Sequence, residues 1–283
     1  MPLVRTGEIV AAAAAARRGC GAFNAIQLEH LTAITEGAAL AGAPVIVQLS
    51  QNAVRYHGAL APIGGAALAT ARVAEARVAV HLDHAESRDL VREAVGLGFG
   101  SVMFDASKLD YADNVRETRE VVAFCHDHGV WVEAELGEVG GKDGVHAPGA
   151  RTDPDEAAEF AAATGVDALA VAVGSSHAML TRDAALDFDL IARLRSRVPV
   201  PLVLHGSSGV SDDGLAEAVR AGMTKVNIAT QLNKVFTAAA AGDWRTHPER
   251  VDPRRYLGAG RDAVTAEVRR LLGVLGSSSL RRT

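Results

Sequence analysis

Short, nearly continuous apolar runs recur along the chain, each separated from the next by a stretch with helical spacing. The first three are Gly21-Ala-Phe-Asn-Ala25, Pro44-Val-Ile-Val-Gln-Leu-Ser50 and Val78-Ala-Val-His-Leu-Asp-His84. Ser101-Val-Met-Phe-Asp105, Val130-Trp-Val-Glu-Ala-Glu-Leu136 and Asp167-Ala-Leu-Ala-Val-Ala-Val173 follow. Val200-Pro-Leu-Val-Leu-His205 and Thr224-Lys-Val-Asn-Ile228 complete the set. Runs this short, rich in Val, Ile and Leu and bounded by turn residues, read as buried strands. Helices are predicted over 9–16, 28–41, 62–76, 87–97, 114–128, 154–164, 187–197, 212–221, 231–241 and 261–275. Asp153 is placed to cap the helix that opens with Pro154.

Strands that are apolar throughout suit a parallel sheet covered on both faces. Eight strand-plus-helix units, repeating roughly every 25 to 35 residues, predict a (β/α)8 TIM barrel of the α/β class. A doubly wound open sheet is the alternative, but no Gly-x-Gly-x-x-Gly fingerprint follows the first strand. No domain boundary is visible, so residues 1–283 are expected to form a single barrel domain. The Gly-rich segment 137–152 is the one long loop candidate, and loops of that size in a compact domain are more often functional than accidental.

Composition narrows the partners. A net charge of -5 with no basic run argues against nucleic acid. No apolar run approaches the roughly 20 residues that span a bilayer, and the Ala-rich start reads as a helix rather than a secretory signal. Cys20 and Cys125 are expected reduced and buried, and the protein cytoplasmic. Arg281 and Arg282 read as a solvated tail.

The candidate chemistry lies where the runs end, because barrel enzymes place their sites at the C-terminal ends of the strands. In order those ends carry Asn24, Ser50, Asp83 with His84, Asp105, Glu135, His177, His205 and Asn227. His84, His177 and His205 follow strands three, six and seven. Any one alone is better read as a hydrogen-bonded core histidine. Three at one barrel mouth, with Asp83 alongside, read as a three-ligand zinc site that leaves room for substrate. His81 is expected behind that site or in packing, and His30, His57, His126, His128 and His247 as solvated or capping residues.

Strand seven exits into Gly206-Ser-Ser-Gly209 and strand eight into Asn227-Ile-Ala-Thr230, the places where barrels often hold phosphate. Glycine lets backbone N–H groups approach an anion, and Ser208 and Thr230 add hydroxyls. A metal beside a phosphate pocket suggests chemistry on a phosphorylated carbonyl compound, with Asp83 moving a hydroxyl proton.

These residues resemble the class II, zinc-dependent fructose-bisphosphate and tagatose-bisphosphate aldolases over nearly the whole chain. The matching motifs are Phe23-Asn24, Val45-Ile-Val-Gln-Leu-Ser50, His81-Leu-Asp-His84, Ser101-Val-Met-Phe-Asp105 and Glu133-Ala-Glu-Leu-Gly137. Gly174-Ser-Ser-His177, Leu204-His-Gly-Ser-Ser208, Lys225-Val-Asn-Ile-Ala-Thr230 and Asp252-Pro-Arg254 continue the series. The resemblance implies Zn2+ on His84, His177 and His205, with Asp105 and Glu135 as carboxylates that can hold the metal in an alternative position. It implies Asp83 as acid/base for the C4 hydroxyl, and Asn24, Ser50, Gly206, Ser208, Asn227 and Thr230 as substrate and phosphate contacts. Arg254 would reach the distal phosphate of a neighbouring subunit, which implies a homodimer or homotetramer. A monovalent cation, Na+ or K+, would sit near the phosphate of the phosphorylated ketose.

Three departures from the family pattern stand out. The loop that carries the family's carbon-acid glutamate reads Gly140-Gly-Lys-Asp-Gly144, one residue shorter and without that glutamate, which leaves Asp143 or Glu138 to handle the carbon-bound proton. Ala178 replaces the glycine after the histidine of Gly174-Ser-Ser-His177. Ala229 stands where fructose-specific members tend to carry Asp and tagatose-type members Ala, whereas Val47-Gln-Leu-Ser50 looks fructose-type. Alternatives are an accessory, non-catalytic barrel subunit, a class II aldolase for a different ketose phosphate, or a zinc hydrolase, although the His-x-His pair of barrel hydrolases is missing from residues 21–27.

Overall fold

The computed structural model describes residues 2–136, 151–176 and 179–276. Its strands are β1 (Cys20–Asn24), β2 (Val45–Ser50), β3 (Val78–Ala85), β4 (Ser101–Phe104), β5 (Trp131–Glu135), β6 (Ala168–Ala170), β7 (Leu202–Leu204) and β8 (Met223–Ile228). Each pairs in parallel with the next, and β8 returns to β1, so the sheet closes as a (β/α)8 barrel. Closure excludes the doubly wound alternative.

The helices are α1 (Thr6–Ala15), α2 (Leu28–Ala41), α3 (Gln51–His57), α4 (Leu60–Val73), α5 (Arg88–Leu97) and α6 (Tyr111–Asp127). α7 (Pro154–Thr164), α8 (Phe188–Arg197), α9 (Asp212–Ala221), α10 (Thr230–Thr246) and α11 (Pro253–Gly276) complete them. Local signals set many ends. Asp153 accepts hydrogen bonds from the Asp155 and Glu156 amides at the start of α7, a cap of the kind that stabilises a helix by about 1 kcal/mol. Gly98 ends α5 at φ 97°, a conformation that side chains with a Cβ rarely adopt.

Several boundaries differ from the sequence expectation, and three of the differences have a local cause. α3 was not anticipated; the Ser50 hydroxyl accepts from the Ala53 amide and starts a helix directly at the end of β2. α6 begins earlier because Asp110 caps it through the Asp113 amide. α11 begins at Pro253 rather than 261, and proline in a first turn loses no helical hydrogen bond.

The two faces of the barrel strands differ in chemistry. The outer face, with Phe23, Val47, Leu49, Val80, Leu82, Val102, Phe104, Leu204 and Ile228, packs under the helices as the main core. Inside, Cys20, Ala22, Ile46 and Ala79 meet Ile9 and Val10 of α1, which plugs the N-terminal end. Above that plug the interior turns polar: Gln48, His81, Ser101, Glu133, Lys225 and His205 all have no solvent exposure. Lys225 on β8 meets Glu133 on β5 at 2.8 Å. Those strands are not neighbours in the sheet, so the contact crosses the barrel interior. The strands are therefore not apolar on both faces, as first read.

Cys20 and Cys125 are free and buried, and burial pushes both thiols up to about 12. His30 overturns the solvated expectation. It is buried against the Phe236 ring at 5.0 Å, and neither ring nitrogen has a hydrogen-bond partner among the described residues. Burial lowers its pKa to about 4. No helix among the described residues is long and apolar enough to cross a membrane.

Candidate active site

Parallel closure points all eight strand ends at one mouth, and the polar residues found there by sequence converge. Asn24, Ser50, Asp83, His84, Gly206, Ser208, Asn227 and Thr230 line one cavity of about 190 Å³, together with Asn52, Ser207 and Ala229.

Asp83 and His84 are adjacent in sequence, and strict alternation along β3 would send them to opposite faces. Both reach the cavity because His84 takes φ 49°, a left-handed backbone outside glycine, where the β3–β4 register shifts between Leu82 and Ala85. Strain of that sort costs about 1–3 kcal/mol and persists where surrounding structure imposes it.

Asp83 is 3% exposed and held by two asparagines. Asn24 donates through Nδ2 to Oδ2 at 2.7 Å, and Asn227 through Nδ2 to Oδ1 at 3.5 Å. Each amide is oriented from the polar layer below. Gln48 Nε2 donates to Asn24 Oδ1 at 3.0 Å, and Lys225 Nζ to Asn227 Oδ1 at 2.7 Å. An amide whose oxygen is occupied in this way must turn its NH2 group toward the carboxylate.

Beside Asp83 lies a group with metal-ligand chemistry. His84, Glu135 and His205 each offer one ligand atom, and these atoms lie within 4.8 Å of one another. The rings of His84 and His205 stand edge-on at 4.9 Å, and His205 Nδ1 is 3.5 Å from Glu135 Oε2. Two imidazoles and a carboxylate suit a borderline cation such as zinc, whose tetrahedral ligands sit about 3.4 Å apart, within reach of modest side-chain rotation.

Asp105 is outside this three-residue group and holds His84 Nδ1 at 2.7 Å while accepting from Ser107. Burial opposes charge on His84, but Asp83 beside it and the bond to Asp105 prevail and raise its pKa to about 10. Burial likewise opposes ionisation of Asp105, yet its bonds to His84 and Ser107 keep it well below the usual carboxylate range. His205 is held below the ordinary imidazole range by burial and by the nearby His84.

On the opposite wall Gly206 takes φ 65°, and a Cβ there would lie 2.5 Å from the Ser176 backbone, so only glycine fits without displacement. Ser208 Oγ accepts from the Gln231 amide in the first turn of α10 and still has its own proton to donate. The N-terminal turn of a 17-residue helix thus opens on the cavity, the arrangement that receives anions in other folds.

His177, Asp143, Glu138 and Ala178 lie outside the described residues. Arg254 is 88% exposed in its side chain and paired with Asp252 at 2.7 Å. Sequence reading assigned no role to Gln48, Glu133 or Lys225, which lie beneath the cavity. A signal was present: a charge in the middle of an apolar run, as in Val132-Glu-Ala134 or Thr224-Lys-Val226, has to face something polar.

Comparison with known proteins agrees with this geometry. The chain matches the family described as class-II fructose-bisphosphate aldolase over residues 4–279. It is similar to the YdjI aldolase from Escherichia coli K12, with 31% identity, 98% of each chain covered and a TM-score of 0.84. It is also similar to a protein from Coccidioides immitis solved as a candidate fructose-1,6-bisphosphate aldolase, with 28% identity, 96% of each chain covered and a TM-score of 0.85. Fructose-bisphosphate aldolase from Campylobacter jejuni shares the fold at 21% identity and a TM-score of 0.79, over 96% of this chain and 95% of that one. A match along almost the full length, on a barrel whose mouth gathers an acid, two imidazoles and a wall that contains Gly206, makes this chain a member of the class II fructose-bisphosphate aldolase family, a family of carbon–carbon lyases.

Proposed function

We propose that the protein is a zinc-dependent aldolase that reversibly cleaves a ketose 1,6-bisphosphate, fructose or tagatose 1,6-bisphosphate, to dihydroxyacetone phosphate and glyceraldehyde 3-phosphate. The observation that carries this reading is that Asp83 shares its small cavity with His84, whose ligand atom lies within 4.8 Å of those of Glu135 and His205.

His84 and His205 would hold the ion together with His177, which lies outside the described residues, and Glu135 offers a further carboxylate. When bound, the ion supplies Lewis-acid polarisation of the substrate carbonyl. Gly206, Ser208 and the first turn of α10 receive the phosphate next to that carbonyl through N–H and O–H donors. Asp83, fixed by Asn24 and Asn227, takes the proton of the C4 hydroxyl as the C3–C4 bond breaks and returns it in the reverse direction. A carboxylate with both oxygens already oriented loses little entropy in reaching that geometry.

Ala229 on the cavity wall removes a carboxylate that could select the C4 epimer, which favours tagatose 1,6-bisphosphate or relaxed selection between epimers. Arg254, exposed and paired with Asp252, would serve a neighbouring protomer's substrate in a homodimer or homotetramer.

Metal analysis of purified protein, together with turnover of both bisphosphates, tests the reading. We expect stoichiometric zinc, release of dihydroxyacetone phosphate, and loss of activity and of thermal stability on chelation. Zinc at 100 times its Kd stabilises a fold by about 2.7 kcal/mol. A zinc-loaded chain that cleaves no ketose phosphate would instead be an accessory subunit.

A further inference from the structure

Glu133 and Lys225 are buried without solvent exposure in the middle of the barrel. Taking two charges out of water costs several kcal/mol per ion, and an apolar pair of similar volume is often no less stable. Stability is therefore a weak reason for them, and their contacts suggest a stronger one.

Glu133 Oε1 lies 2.9 Å from His205 Nε2, and its Oε2 lies 2.8 Å from Lys225 Nζ. The same ammonium donates to Asn227 Oδ1 at 2.7 Å, which turns Asn227 Nδ2 to within 3.0 Å of His205 Nε2. His205 Nε2 thus faces two neighbours with opposite demands. The carboxylate of Glu133 requires a proton on Nε2, whereas the NH2 of Asn227 requires a lone pair there. A hydrogen bond to a charged group is roughly twice as strong as one between neutral groups. The carboxylate prevails, Nε2 carries the proton, and a neutral ring then has its lone pair on Nδ1. That nitrogen faces Glu135 across 3.5 Å, on the side where the ligand atoms gather.

We propose that Glu133, anchored by Lys225, is a positioning residue that fixes the Nε2–H tautomer of His205 and so presents its Nδ1 lone pair to the metal. The proposal rests on the metal-dependent reading above. Lys225 has a second consequence, because the amide it orients also faces Asp83. One buried cation therefore sets the direction of a metal-holding imidazole and of a donor to the catalytic carboxylate.

The test uses the full-length protein at neutral pH. Nitrogen-15 NMR of metal-free wild type, with His205 assigned from a His205→Asn variant, is expected to show Nε2 protonated and Nδ1 bare. Glu133→Gln can donate its own amide to Nε2, and should move the proton to Nδ1 and weaken zinc binding, measured by chelator competition, by about 10- to 100-fold. A support that only filled space would leave the tautomer unchanged. Nδ1–H in the wild type, or zinc affinity in Glu133→Gln within about threefold of wild type at a difference smaller than the range for lost supporting contacts, overturns the proposal. If Glu133→Gln does not fold, the wild-type tautomer decides the matter. A wild type that takes up no zinc overturns the metal reading itself, whereas zinc uptake with Nδ1–H overturns this proposal alone.

Discussion

Asn24 Nδ2 donates to Asp83 Oδ2 at 2.7 Å, and Gln48 fixes the direction of that donation by occupying Asn24 Oδ1. β1, β2 and β3 are thereby joined at the cavity floor by side chains as well as by the sheet. Asp83 is the proposed acid/base, so Asp83→Asn should keep its metal and its fold while kcat falls by about 10²- to 10⁴-fold. Gln48→Leu frees the Asn24 amide to turn and should lower kcat by about tenfold, a loss of orientation rather than of chemistry. Metal content and steady-state rates for both variants check this, and turnover by Asp83→Asn within a few-fold of wild type would remove the proton role.

Ala229 lines the cavity next to Thr230. Ala229→Asp restores a group able to accept from a sugar hydroxyl. We expect the ratio of kcat/KM for fructose over tagatose bisphosphate to rise by about tenfold, equal to roughly 1.4 kcal/mol of differential transition-state binding. An unchanged ratio would place C4 recognition elsewhere.

Gly206→Ala introduces a Cβ 2.5 Å from the Ser176 backbone at a positive φ. The wall proposed to receive the phosphate must shift, because backbone cannot yield as a flexible side chain does. The expected result is a rise in KM of at least about tenfold with a melting temperature lowered by strain of order 1–3 kcal/mol. Measuring KM and melting temperature together separates the two effects.

His30 predicts a pH dependence away from the active site. Burial lowers its folded pKa to about 4, below the ordinary imidazole value near 6.5, so the unfolded chain binds the proton more readily. Its contribution is fully present above pH 6.5 and is lost progressively as pH falls toward 4, by a total on the order of 3 kcal/mol. His30→Leu keeps the contact with Phe236 and should flatten the fall in melting temperature between pH 6.5 and 4. Equal slopes for variant and wild type would show that other groups govern the acid limb.

Much of this was legible in one dimension. Apolar runs and helical spacing determined eight parallel strands, and parallel strands that close put their C-terminal ends on one rim. Asn24, Ser50, Asp83, His84, Gly206, Ser208, Asn227 and Thr230 were therefore nameable from position alone, and they share one cavity. Tertiary structure decided what depends on neighbours remote in sequence. A positive φ at His84 with a slipped register brings two adjacent residues to the same side. Contact across the closed interior pairs Lys225 with Glu133 and gives Glu133 to His205. His30 is buried by the helix that carries Phe236, far along the chain. Periodicity reports which face of an element is apolar, because that is a local property of side chains. It does not report which polar groups meet inside a barrel, because that depends on the register and closure of strands that are distant in the chain.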